Sequence, residues 1–228
     1  MRPLNGALCA LCGEKLFSPH LESAADPLCG LCQRVKPPFT KAAAYGAYDG
    51  ELRDLIHVFK YHQVKSAGPV LANYLARAAA KIGLPAAFVV VPVPLFKGKL
   101  RSRGFNQAEE IARAYVRRQP PGGIQLETAA LVRTRDTASQ TGLTRRQRRL
   151  NLRGAFAVAD PRKIAGKNVL LVDDVMTTGT TAAECARVLL RAGAEQVFVA
   201  TVARATKEVE DFYQADSEIG WGGTQGHA

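Results

Sequence analysis

The sequence predicts an α/β protein, a parallel sheet flanked by helices, preceded by a small four-cysteine module. Three observations predict it. Short β-branched apolar runs alternate with amphipathic segments through residues 39–206, the order expected of βαβ units. NVLLV (168–172), TTAAECARVLLRAG (180–193) and QVFVATVAR (196–204) make one complete unit, whose strands should be parallel and whose crossover should be right-handed. Cys9-x-x-Cys12 and Cys29-x-x-Cys32 stand apart from this region, separated from each other by 16 residues.

The cysteines come first along the chain. The spacing C-x2-C-x16-C-x2-C falls within the range of four-thiolate zinc sites, and each C-x-x-C lets two sulfurs reach one ion from a tight turn. Disulfides and a redox dithiol are the competing readings. A reducing compartment disfavours disulfides, and a dithiol explains one pair but not two. The expected zinc ligands are Cys9, Cys12, Cys29 and Cys32, with His20 a loop residue between the pairs. Pro37-Pro38 breaks regular structure, so the module is assigned to 1–38, the main domain to 39–206 and an acidic, loosely held tail to 207–228.

In the main domain, GELRDLIHVFKYH (50–62) and GPVLANYLARAAAKIG (68–83) read as helices. The second places Val70, Leu71, Tyr74, Leu75 and Ala78 on one face. FVVVPVP (88–94) is a strand ended by its prolines, and FNQAEEIARAYVRRQ (105–119) is a helix stopped by PPGG. ALVRT (130–134) and AFAV (155–158) are candidate strands, and NVLLV is the clearest buried one. Helix 180–193 stops at Gly193 and carries Cys185 as a small core residue.

The 228 residues are 47% hydrophobic, enough for one full domain plus an accessory module. The apolar stretch 88–96 is far short of the roughly 20 residues of a spanning helix, and MRPLNGALCALCGEKLF lacks the apolar stretch of a signal peptide. These features predict a cytoplasmic protein without a membrane span. The net charge is +11, but residues from Lys207 onward carry −4, which leaves +15 on residues 1–206. That excess predicts an anionic partner, either phosphate-bearing small molecules or nucleic acid.

VLLVDDVMTTGTT (169–181) carries the chemistry. A buried strand runs into Asp173 and Asp174, and Met176, Thr177, Thr178, Gly179, Thr180 and Thr181 join it to a helix. Backbone N–H groups at that helix start, with threonine hydroxyls, make an anion site. The carboxylates cannot bind phosphate. They can accept hydrogen bonds from vicinal hydroxyls and hold water around Mg²⁺. Together the two halves describe a ribose 5-phosphate. GxxxxGK[ST] and GxGxxG are both missing, so neither a P-loop nor a dinucleotide fold is supported.

The thirteen-residue string resembles the phosphoribosyl-pyrophosphate motif of type I phosphoribosyltransferases. With the cysteine module, RSRGFNQAEEIA (101–112) and RTRDTASQTGLTRRQRRLNLRGAF (133–156), the chain is similar to the competence protein F (ComF) family over most of residues 9–205. The resemblance implies a type I phosphoribosyltransferase-like sheet. It implies ribose contacts at Asp173 and Asp174, phosphate contacts along Met176–Thr181, and a pyrophosphate loop at Pro92, Val93, Pro94, Leu95, Phe96 and Lys97. It further implies a mobile loop over 133–153 bearing Arg133, Arg135, Arg145, Arg146, Arg148 and Arg149. Lys60 lies in a helix-end segment that the family shares. The implied ligands are Mg²⁺ with phosphoribosyl pyrophosphate. The implied partners are single-stranded DNA taken up in natural transformation and a DNA-uptake helicase.

Residue chemistry supports part of this. Residues 131–153 hold seven Arg and one Asp, and arginine forks match phosphate oxygens two at a time. A solvated helix face is the competing reading of TRRQRRLNLR. Phe59, Tyr61, Phe96 and Phe105 are candidates for stacking on bases, against core packing. His57 and His62 read as surface or packing residues, and no stretch reads as a base pocket or a general acid. Two functions remain: a DNA-handling binding module, or an active phosphoribosyltransferase of nucleotide metabolism with no DNA role.

Overall fold

A computed structural model describes residues 1–17, 25–62, 64–137 and 145–205; of residues 145, 146, 148 and 149 only the backbone is described. The tail at 207–228 and His20 lie outside the described residues.

The elements in chain order are α1 (Gly30–Arg34), β1 (Lys41–Ala47), α2 (Gly50–Tyr61), α3 (Gly68–Ala79), β2 (Phe88–Pro92), α4 (Lys97–Arg103), α5 (Gln107–Val116), β3 (Ile124–Leu126), β4 (Leu131–Arg133), α6 (Arg145–Leu152), β5 (Phe156–Val158), β6 (Asn168–Met176), α7 (Thr180–Arg191) and β7 (Gln196–Arg204). Five strands form a parallel sheet in the order β1-β7-β6-β2-β3. The expected parallel α/β architecture is therefore present. β4 and β5 pair antiparallel as a separate two-stranded sheet.

Side chains alternate across the sheet because successive residues of a strand face opposite ways. Val90, Leu170, Val172, Ala200 and Val202 face α2, α3 and α5, meeting Ile56, Phe59, Leu71, Leu75 and Ile111. Val89, Val91, Val169, Leu171, Val197 and Val199 face the other way, meeting Cys185 and Leu189 of α7 and Leu131, Leu152 and Phe156 around the small sheet. Cys9, Cys12 and Cys32 belong to this second cluster. The cysteine segment is tied to β1 through Leu4 N–H to Tyr45 O at 2.7 Å and Ala42 N–H to Leu11 O at 2.8 Å.

Several elements differ from the sequence reading. β1 (KAAAYGA) was not expected, because it carries small residues rather than β-branched ones. At Gly46 the reason is steric: a Cβ there would sit 2.7 Å from Leu52 Cδ2 and 2.9 Å from Arg2 O. β3 is too short to show a pattern. The region 105–119 becomes α5, capped by the Asn106 side chain accepting from Ala108 N–H, and a separate helix, α4, precedes it. Val70 is exposed rather than on the buried face of α3. Part of the expected mobile loop, 145–152, is helical, as an Arg- and Leu-rich run favours. β6 runs on to Met176 rather than stopping at Val172, because β7 continues beside it to Arg204.

Candidate functional site

β6 is the central strand, and its carboxyl end carries both aspartates, where ligands of parallel α/β sheets bind. Asp173 Oδ1 accepts from Asp174 N–H at 2.9 Å. The two side chains then part. Asp174 points toward α2, where Lys60 Nζ lies 2.9 Å from Asp174 Oδ2, the two side chains being 15% and 10% exposed. Burial, the largest single influence, lowers the Lys60 ammonium, but Asp174 with Asp173 and Tyr48 together hold it above the ordinary lysine range. Asp173 faces the α7 side, within the field of Arg133 and Cys185. Burial, then the adjacent Asp174 carboxylate, push Asp173 up to about 7, with Lys60 and Arg133 pulling back. One of the two carboxylates thus carries a strong cationic partner, and the other holds a proton near neutrality.

Thr177, Thr178 and Gly179 make the whole connection from β6 to α7. Gly179 is the helix N-cap with φ 74, a left-handed conformation that disfavours any side chain. Ala183 N–H donates to Gly179 O at 2.9 Å as the first helical hydrogen bond, and the N–H end of a helix favours an anion. The Thr178 and Thr180 hydroxyls hydrogen-bond each other at 2.7 Å, and Met176 is buried beneath the turn.

Pro92 ends β2, and Val93 N–H donates to Val172 O at 2.9 Å, which places the segment Pro92–Lys97 beside the aspartates. Asn106 Nδ2 donates to Val93 O at 3.0 Å and secures the turn. Behind it, α4 presents Lys97, Lys99, Arg101 and Arg103 in seven residues. Burial lowers Lys99, and the nearby Arg133 and Arg103 lower it further, so α4 and β4 present one positive field. Arg133 donates to Thr137 Oγ1 and lies over the Phe156 ring. Arg135 is already engaged: Nη2 donates to Asn151 O at 2.9 Å and Arg153 O at 2.8 Å. The side chains of Arg145, Arg146, Arg148 and Arg149 lie outside the described residues. Of the aromatic candidates, Phe59 and Phe105 are buried against each other, centroids 5.1 Å apart. Tyr61 is exposed, with the Arg103 guanidinium over its ring.

The Sγ atoms of Cys9, Cys12, Cys29 and Cys32 lie within 4.8 Å of one another, and Cys12 and Cys29 are 3.7 Å apart. Tetrahedral zinc with bonds of about 2.3 Å sets sulfurs about 3.8 Å apart, so the donor set fits that ion. Its hydrogen bond with Cys12 draws Cys9 down to about 4. The same bond, with burial, pushes Cys12 far up, and burial pushes Cys32 up to about 12. A divalent ion held there would supply the charge that lets the four thiols ionise together. Arg204, 1% exposed, adds to this: Nη2 lies 3.7 Å from Cys12 Sγ and pairs with Glu14.

With this geometry established, comparison with known proteins decides the family. Residues 100–220 match the model of the phosphoribosyl transferase domain. DNA utilization protein YhgH of Escherichia coli K12 is 34% identical over 196 residues, 84% of this chain and 82% of the relative. Competence protein F of Haemophilus influenzae is 32% identical over 206 residues, 86% and 84% of the two chains. The chain belongs to the competence protein F family. Competence protein ComFC of Bacillus subtilis is a more distant relative, 24% identical over 199 residues, 85% of this chain and 75% of that one. Among solved structures, an orotate phosphoribosyltransferase from Mycobacterium tuberculosis is 17% identical, with a TM-score of 0.39 over 70% of this chain and 73% of the other.

In this family member, three site features were not assigned from sequence. Lys60 had no role until α2 was seen to end at Asp174. Of the α4 cations only Lys97 has a role in the sequence reading, in the pyrophosphate loop; Lys99, Arg101 and Arg103 have none. Arg204 gave no signal at all, because its partner Glu14 is 190 positions away.

Two outcomes test the site. Protein purified under reducing conditions should contain one zinc per chain by elemental analysis, and Cys29→Ser should lose it; metal-free wild type would remove the zinc assignment. Asp173 gives a pH signature. Its folded-state value of about 7 lies above the roughly 4 of an unfolded carboxylate. The folded state therefore binds more protons between those values, and stability falls as pH rises through that window. Asp173→Asn should melt progressively above wild type from about pH 4 to about pH 7, the gap levelling beyond. A gap independent of pH would show that Asp173 is not raised.

Proposed function

We propose that this protein binds a ribose 5-phosphate ligand of the phosphoribosyl pyrophosphate class, and that it handles single-stranded DNA in natural transformation. What carries the first half is the placement of two carboxylates and a helix-start anion site on either side of one three-residue turn. A ribose offers two hydroxyl donors to the aspartates while its 5-phosphate meets the α7 N–H groups and the threonine hydroxyls. The segment 92–97 and the cations of α4 and β4, close to the end of β6, support a pyrophosphate on C1 in this reading.

Zinc is structural in this reading, held by the four thiolates. Magnesium arrives with the pyrophosphate rather than residing on the protein, since Lys60 already occupies Asp174. The names of the relatives, DNA utilization protein and competence protein, support the DNA half. DNA itself does not suit the aspartates, because deoxyribose lacks the vicinal diol. In this reading it is met instead by the arginine-rich segment 145–149, and the cytoplasm is the place of action. Transfer to an acceptor is the alternative outcome, with the same pocket consuming the sugar phosphate.

Calorimetry should detect Mg²⁺–phosphoribosyl pyrophosphate binding to wild type. The double variant Asp173→Asn, Asp174→Asn should weaken it by about 1.5–3 kcal/mol per lost charged hydrogen bond. Equal affinity in a folded double variant would mean that the aspartates do not hold the ribose. Consumption of the ligand on adding an acceptor would assign turnover. For DNA, a polarisation titration should show sequence-tolerant binding that weakens with salt, with a log–log slope of about −0.7 per phosphate engaged. Four engaged cations give about −3, and replacing Arg145, Arg146, Arg148 and Arg149 with Ala should flatten the slope. Wild type that ignores single-stranded DNA at low salt would end the direct-binding claim.

A further inference from the structure

Adjacent carboxylates beside a phosphate site ordinarily suit a divalent ion, since Mg²⁺ is bound by one or two carboxylates together with phosphate and water. Asp173 and Asp174 do not fit that role, and the reason is Lys60. Its ammonium nitrogen lies 2.9 Å from Asp174 Oδ2, between side chains only 15% and 10% exposed, so the cation is held inside the site rather than at its rim. An ion bonded to that same oxygen at about 2.1 Å could stand no farther than about 5 Å from the nitrogen. Two cations at that separation repel strongly in a half-buried place. Asp173 Oδ1 is engaged as well, by Asp174 N–H. Counting Lys60, the three side chains carry at most one net negative charge. Among the described residues, the four cysteines are the only group of three or more His, Cys, Asp or Glu side chains placed to hold a metal.

The position of Lys60 is built into α2. Its neighbour Phe59 is fully buried against Phe105, and Leu52 and Ile56 bury the same helix. His62 N–H donates to Val58 O at 3.0 Å and closes the last turn, the end of a helix that favours a cation. An ammonium is a compact point charge with three N–H donors. Asp174 is its one ion-pair partner among the described residues. The donors that Asp174 does not take can meet hydroxyl oxygens, the atoms a divalent ion would coordinate.

We propose that Lys60 takes the place of a divalent cation at the Asp173–Asp174 pair, which therefore excludes Mg²⁺ and receives a ribose 5-phosphate without it. The ligand half rests on the sugar-phosphate reading above; the exclusion of the ion does not. The consequence is a wider ligand class. A 5-phosphorylated ribose needs no pyrophosphate to bring a metal, because the cation is a side chain. Mg²⁺ accompanies only those ligands that carry a pyrophosphate, on their own oxygens.

The probe for the ion is Mn²⁺, whose free-ion paramagnetic resonance signal disappears on binding, added to the zinc-loaded full chain. Wild type should bind none at the pair. Lys60→Met, which keeps the stem and removes the charge, should bind one, and adding Asp173→Asn with Asp174→Asn should abolish it. A gained ion is not something a merely structural residue would give. Lys60→Arg keeps the charge and should bind none. Removing one partner of a buried pair is destabilising, so a thermal melt accompanies each variant. A folded Lys60→Met that binds no Mn²⁺ would overturn the proposal. So would wild type binding one Mn²⁺ that the aspartate double variant loses, a result that needs no Lys60 variant to fold. For the ligand, calorimetry with ribose 5-phosphate should give wild type the same affinity in divalent-free buffer and with Mg²⁺. In Lys60→Met, binding without Mg²⁺ should weaken about tenfold or more, as loss of a charge-assisted contact does, and added Mg²⁺ should restore part of it. Ribose 5-phosphate that binds wild type only with Mg²⁺, or not at all while Mg²⁺–phosphoribosyl pyrophosphate binds, would overturn metal-free binding and leave the sugar-phosphate reading standing. Neither sugar phosphate binding, with Mn²⁺ still gained in Lys60→Met, would keep Lys60 in the cation position and sink the sugar-phosphate reading.

Discussion

Two carboxylates on consecutive residues of a central strand are the constraint around which the rest of the site is arranged. Like charges this close cannot both ionise in a half-buried place without compensation. Because successive residues of a strand face opposite sides, compensation has to come from both layers. α2 ends where it delivers Lys60 to Asp174 at 2.9 Å. The small β4–β5 sheet brings Arg133 into the field of Asp173. Removing one partner of a buried pair leaves an uncompensated charge, which costs more than the pair itself contributes. The layers on either side of the sheet are thus bound to the site electrostatically as well as through the core.

The second constraint lies at the end of β7. Arg204 pairs in register with Met176, the last residue of β6 before the phosphate turn, and its side chain reaches Cys12 and Glu14. Tyr48 N–H donates to Arg204 O at 2.8 Å, and Ala205 N–H donates to Met176 O at 3.0 Å. One residue therefore connects the thiolate cluster, the strand that carries the aspartates and the loop leading into α2. The cysteine segment buries three of its four sulfur-bearing residues in the same core as β6 and β7. A metal there would fix one wall of the phosphate turn as well as its own loops.

Legibility in the sequence followed how local each signal was. The thiolate set, the unit from 168 to 204 and the turn at Gly179 all rest on contacts or spacings within a few tens of residues, and each could be read directly. β1 could not, because it carries no β-branched residue, and its Gly46 answers to Leu52 and Arg2 rather than to strand propensity. The end of β6 was misread because its apolar run stops at Val172 while the hydrogen-bonded ladder follows β7. Lys60 and Arg204 were invisible as site residues for the same reason: each acts on a partner far along the chain, and a buried lysine or arginine looks like any other until its neighbour is known. The arginines of α6 were legible as a charge cluster, but Arg135 shows why composition alone does not make a phosphate site. Its guanidinium caps the carbonyls of Asn151 and Arg153.

The chemistry of the two acceptors and the chemistry of the turn point to different parts of a nucleotide. Carboxylates accept hydrogen bonds from a vicinal diol, and the N–H groups of a helix start favour an anion. On the function proposed above, Asp173 and Asp174 would discriminate ribose from deoxyribose whatever is attached at C1, while the α7 turn would read phosphate and be indifferent to the sugar. The two requirements fall on adjacent elements, the end of β6 and the start of α7, so a change in what the turn holds need not disturb the carboxylates, which Lys60 and the adjacent backbone keep in place.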